Sequence, residues 1–192
     1  KMPVMLGSSI GADSDRKGKV SVSCSTTVNL NGHDLFVRNV EIRKGKKFTV
    51  TDTSVGSGPA GELNARAADF GVAGVRTTGA ELNVAGRARV VARGGIGGAG
   101  VGAGLWGEGG RLTVSGSGAF VMAAGGPNAA GIGGSIGKSG GTVIVSGVGA
   151  QVEAYGGDLA AGIGSGAGAN KAAGAIAVTG AGAQVIAHGG PD

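Results

Sequence analysis

A unit of about thirty residues recurs through the second half of the chain, a fixed period that restricts the fold more than any other feature of the sequence. The copies read LNVAGRARVVARGG from Leu82, LTVSGSGAFVMAAGG from Leu112, VIVSGVGAQVEAYGG from Val143 and IAVTGAGAQVIAHGG from Ile176, so their starts are 30, 31 and 33 residues apart. A second line of similarity precedes each later copy: AGVGAG from Ala99, AGIGGS from Ala130 and AGIGSG from Ala161, which sets Val101, Ile132 and Ile163 31 residues apart each time. Self-similarity of this kind belongs to stacked architectures, in which each unit buries its apolar residues against its neighbours.

Within a unit, short period-2 stretches alternate with glycine. KVSVSCSTTVNL, DLFVRNVEIR, KFTVTDTSV, RLTVSG, TVIVSG and AIAVTG read as strands of four to six residues bounded by turns. No window holds a sustained helical period. The one weak helix candidate is PAGELNARAADFG, Pro59 to Gly71, which reads as a loop with one helical turn. Three strands, three turns and a return to the start describe one coil of a parallel β-helix, with successive coils about 4.8 Å apart.

Equivalent positions then form ladders: Leu82, Leu112, Val143 and Ile176; Val84, Val114, Val145 and Val178; Val90, Val121, Val152 and Val185; Val101, Ile132 and Ile163. The first 60 residues fit the same scheme, with Val28, Leu30, Leu35, Val37, Val40, Ile42, Phe48 and Val50 inward. The sequence therefore predicts an all-β, single-stranded parallel β-helix of about six coils over 1–192. It divides into less glycine-rich coils over 1–65 and glycine-rich repeat coils over 66–192.

Composition removes two rivals. Of 45 glycines, 12 lie in 1–93 and 33 in 94–192, but there is no Gly-X-Y register and there are only four prolines, which excludes collagen. Aliphatic residues fixed in every copy argue against a disordered glycine tract. The lone Cys24 rules out an internal disulfide and, in the alternating VSVSCS, reads as a small buried hydrophobe. The uncharged run from Leu112 to Gly137 is too rich in Gly, Ser, Asn and Pro for a membrane span. No secretory leader is evident, and a chain opening on Lys1 and ending abruptly at Asp192 reads as a piece of a longer protein.

Charge is uneven: residues 1–93 hold 14 Lys/Arg against 8 Asp/Glu, and residues 94–192 hold 3 against 4. The basic clusters are KGKKF (Lys44 to Phe48), DRKGK (Asp15 to Lys19) and RARVVAR (Arg87 to Arg93). Lys44, Lys46, Lys47, Arg76, Arg87, Arg89 and Arg93 form the candidate binding surface. The plainer reading is that these cations solvate strand edges and turns; as a binding surface they would take an anionic polysaccharide or a host or cell-surface ligand. Nucleic acid is disfavoured, because no aromatic residues interleave with these cations to stack bases.

Other motifs fail on spacing or context. Gly137-Lys138-Ser139 lacks the P-loop's leading glycine, since Ile132 stands there. Gly102 to Gly107 satisfies GxGxxG, an empty match where one residue in three is glycine. Asp158 is a single acid where a calcium β-roll needs a series, and His33 and His188 lack zinc-ligand spacing, so no metal or cofactor is expected. A carbohydrate-active enzyme would need paired carboxylates. Asp52, Asp69 and Glu81 could meet across coils, as could Arg76 and Arg93, whereas Glu108, Glu153 and Asp158 are scattered. Outward slots vary from copy to copy (Arg93, Ala124, Tyr155, His188), which argues against an ice-binding rank of threonines.

Leu30-Asn-Gly-His-Asp-Leu35, Phe48-Thr-Val-Thr-Asp-Thr-Ser54, Ala130-Gly-Ile-Gly-Gly134 and Gly140-Gly-Thr-Val-Ile-Val145 together resemble the right-handed parallel β-helix repeat regions of bacterial cell-surface and adhesin-like proteins. The resemblance covers most of the chain. It is weakest between Arg66 and Gly95, which is arginine-rich and short of glycine. It implies a right-handed solenoid serving as a passive extracellular scaffold or stalk, with no catalytic residues. Open coil ends add the expectation of end-to-end self-association.

Overall fold

In the computed structural model, which describes residues 4–11, 18–55, 58–170 and 172–191, the chain winds as a right-handed parallel β-solenoid. Its strands, numbered in chain order, fall into three parallel sheets. Sheet A holds β1 (Val4–Met5), β3 (Thr26–Asn29), β6 (Lys47–Asp52), β9 (Glu81–Gly86), β12 (Arg111–Val114), β15 (Thr142–Val145) and β18 (Ala175–Val178). Sheet B holds β4 (Leu35–Val37), β7 (Glu62–Arg66), β10 (Arg89–Arg93), β13 (Phe120–Ala124), β16 (Gln151–Tyr155) and β19 (Gln184–His188). Sheet C holds β2 (Lys19–Val22), β5 (Asn39–Ile42), β8 (Val75–Arg76), β11 (Val101–Gly102), β14 (Ile132–Gly133) and β17 (Ile163–Gly164). The chain visits them in the order C, A, B, coil after coil.

The expected ladders are the observed register. Leu112 pairs with Leu82 and Val143, which pairs with Ile176, and Phe48 extends the row below Leu82. Val90, Val121, Val152 and Val185 continue back to Leu63 and Leu35, and Val101, Ile132 and Ile163 to Val75 and Val40. Phe48, Leu63, Leu82, Leu112, Val90 and Val101 are fully buried. Each such side chain contributes about 1.5–3 kcal/mol on leaving water.

The two halves close their coils differently. In the N-terminal coils sheet C strands are four residues long, and polar side chains hold the corners. Asn29 donates to the Thr53 hydroxyl at 2.6 Å and accepts from the Thr53 N–H. Asp34 accepts from the Glu62 N–H at 2.9 Å, and buried Asp52 accepts from the N–H groups of Ser54 and Gly61. From β8 onward sheet C strands shrink to two residues. Gly102, Gly133 and Gly164 stand at φ 150, 140 and 139°, a backbone region that L side chains rarely adopt. A Cβ on Gly133 would also fall on the carbonyl oxygen of Gly164 in the next coil. This is the physical content of the repeated AGIG motif.

Two local expectations are corrected. Pro59 to Gly71 contains strand β7 rather than a helical turn, because Leu63 and Ala65 pair with Val90 and Ala92 inside sheet B, and that stacking overrides the helix formers ELNARAA. Cys24 is exposed. Its alternation with Val20 and Val22 would point it inward, but β2 ends at Val22 and Cys24 sits in the bend leading to β3. Asp13, Asp15, Arg16, Lys17 and Asp192 lie outside the described residues.

Candidate binding surface

The seven cations named from the sequence lie on three sides of the solenoid. Lys44, Lys46 and Lys47 surround the corner where sheet C passes into sheet A. There Lys46 and Lys47 line an open groove of about 540 Å³ that runs up five coils over Gly79, Gly109, Gly110, Gly140, Gly141 and Gly174. Lys44 lies over Gly79. Lys47 pairs with Glu81 at 3.1 Å, tying β6 to β9. A Cβ at Gly109, Gly110, Gly140, Gly141 or Gly174 would run into backbone of a neighbouring coil, whereas Gly79 stands at φ 62° beneath the Lys44 side chain, so the shape of the floor follows from packing and turn geometry.

Arg87 and Arg89 face the opposite corner, between sheets A and B. Arg87 donates to the Gly58 carbonyl at 2.6 Å. The Arg89 guanidinium stands 3.6 Å from a Glu62 carboxylate oxygen and 4.3 Å from the centroid of the Phe120 ring, so its charge is shared between an acid below and an aromatic face above. Arg76 belongs to sheet C, 3.0 Å from Glu41, which also pairs with Lys19. The Lys19 ammonium bonded to Glu41, with Arg76 beside it, holds the Glu41 carboxyl below its ordinary range against the opposing effect of partial burial. Arg93 ends β10, exposed, and is in no ion pair among the described residues.

The carboxylates do not converge either. Glu81 turns to Lys47, Asp69 to Arg38, and Asp52 is buried as a turn acceptor. Arg76 is engaged with Glu41, and Arg93 stands apart at the end of a sheet B strand. Burial raises the Asp52 carboxyl pKa, but this is outweighed by hydrogen bonds from the Ser54 hydroxyl and from the N–H groups of Gly61, Ser54 and Gly32, so it lies below its ordinary range. Among the described residues no three His, Cys, Asp or Glu side chains come together in a metal-sized group. No helix among them is long and apolar enough to cross a membrane.

A further surface feature is an exposed aromatic in the connection from sheet C to sheet A. Trp106 lies in the connection from β11 to β12 at φ 60° and is 62% exposed; Phe70, in the turn after β7, is 65% exposed. The signal was available in the alignment. Five residues beyond Val101, Ile132 and Ile163 stand Trp106, Gly137 and Gly168, so tryptophan occupies a glycine slot. No protein-family model, curated protein or solved structure matches this chain.

Proposed function

We propose that the chain is a non-enzymatic structural scaffold, a rod-like repeat segment of a bacterial cell-surface protein that works outside the cell in adhesion. The observation that supports this reading most is how the chemistry-bearing side chains are used. Lys47–Glu81, Arg76–Glu41, Arg89–Glu62 and Arg38–Asp69 all pair residues of neighbouring coils, so much of the charged surface staples the rod. Exposed pairs of this kind are each worth below about 1 kcal/mol, but they form a lattice along the axis. The rival is a polysaccharide-processing β-helix. Incubation with a polysaccharide panel, followed by assay for new reducing or unsaturated ends, separates the two. Unchanged chains are expected; cleavage overturns the scaffold.

A second reading, a self-assembling rod, concerns the 192-residue chain as it stands, in which no described coil covers β18. Ile176 and Val178 continue ladders whose earlier members are buried, yet they are 51% and 45% exposed. Light scattering that grows with concentration supports end-to-end stacking, and a strictly monomeric profile removes it.

A further inference from the structure

The open groove at the corner between sheets C and A gathers cations that lie far apart in the sequence. Lys47, Glu81, Arg111, Thr142 and Ala175 are paired in register at the start of five successive sheet A strands, and all five line the groove as one row. Lys47 and Arg111 therefore stand two coil steps apart, about 9.6 Å along the axis. Lys46 lines the groove beside Lys47, and the Lys44 side chain lies over Gly79 of its floor.

Charge here is one-sided. Glu81 is the single carboxylate on the lining, and it is engaged by the Lys47 ammonium and the Thr113 hydroxyl, each at 3.1 Å. Lys44, Lys46 and Arg111 are in no ion pair among the described residues. Glu108 belongs to the same connection as Arg111 but does not line the groove; with it counted, four cations stand against two acids. A cleft lined by one sign of charge focuses its field on whatever enters.

Shape narrows the occupant to a chain. The groove is open and runs along the axis, whereas a small ligand needs a cavity that encloses most of its surface. A peptide strand would need an unpaired sheet edge, but β9, β12 and β15 are hydrogen-bonded on both sides. A docked helix or proline-rich segment would need apolar or aromatic walls, and the lining carries no aromatic or large aliphatic side chain. Bases of a nucleic acid lack a stacking platform for the same reason. We infer that this groove binds an acidic polysaccharide laid along the solenoid axis. Its anionic groups pair with Lys46, Lys47 and Arg111, and its ring hydroxyls meet the polar backbone of the glycine floor.

The inference goes beyond the scaffold reading, and the two fail separately. Loss of binding would leave the scaffold standing, and cleavage of a bound chain would leave the groove standing. Retention on immobilised polygalacturonate or dextran sulfate is expected, weakening with salt, with none on neutral dextran; the tighter of the two names the anion as carboxylate or sulfate. Lys46→Gln combined with Arg111→Gln should weaken that binding about tenfold at unchanged Tm, since neither side chain is in an ion pair. Arg89→Gln combined with Arg93→Gln removes the same charge from sheet B and should leave binding unchanged. Absence of retention on both acidic polymers, or an equal loss in the sheet B double variant, would overturn the proposal. Competition by poly-L-glutamate as strong as that by polygalacturonate would overturn it too, by making the occupant an acidic peptide.

Discussion

A Cβ at Gly110 would fall on the carbonyl oxygen of Thr77 in the coil beneath, and one at Gly140 on that of Ala173. Both are backbone atoms in the connections beside the strands, so the clash cannot be relieved by a side-chain rotation. Gly110→Ala is therefore expected to destabilise the protein by about 1–3 kcal/mol, measured by urea unfolding. Trp106→Gly should do the reverse, gaining about 1 kcal/mol by relief of a left-handed side chain. The glycine requirement was not legible slot by slot. Ala80 precedes Glu81 just as Gly110 precedes Arg111 in the paired strand, and nothing in either string says which coil can admit a methyl group. Trp106 was hidden for a related reason, inside a GxGxxG match dismissed as chance in glycine-rich sequence. Only comparison of its slot with Gly137 and Gly168 exposes it.

Among the elements, sheets A and B were legible because their inward positions repeat as large aliphatics, and sheet C was legible through Val101, Ile132 and Ile163. Strand β7 was not, since Glu, Leu, Ala and Arg are good helix formers and only pairing with β10 makes them a strand. The spread of the seven cations over three sides was also invisible, because it depends on where each lies around the coil. The corner after β6 carries a pH-dependent element. Asp52 is buried, and its carboxyl is held below its ordinary range by the hydrogen bonds it accepts. For a depressed carboxylate the stabilisation is complete above the unfolded-state pKa and is lost as pH falls through the folded one. Thermal stability should therefore decline in acid below about pH 4. Asp52→Ala should be less stable at neutral pH by about 1–3 kcal/mol, leaving the Gly61 N–H without its acceptor, and should show a shallower acid decline. An unchanged acid limb in the variant would remove Asp52 as its source.

Across the whole molecule, stability in a solenoid is a sum over coils and the contacts between neighbours, so the cost of one substitution depends on its height along the axis. Leu112 and Ile176 are members of one ladder, joined through Val143. Leu112 is packed from above and below and is 1% exposed, whereas Ile176, in the last coil, is 51% exposed. Leu112→Ala is expected to cost about 2–5 kcal/mol. Ile176→Ala should cost less than about 1 kcal/mol in dilute solution, because half of its surface is already in water. Urea unfolding of the two variants checks the ratio, and amide exchange should report β18 and β19 opening before β12 and β13. The comparison also bears on self-assembly. If copies stack end to end, Ile176 is covered by the next molecule, and the Ile176→Ala penalty should grow with protein concentration while that of Leu112→Ala does not. A penalty at Ile176 that is small and independent of concentration would assign the open ladder end to solvent.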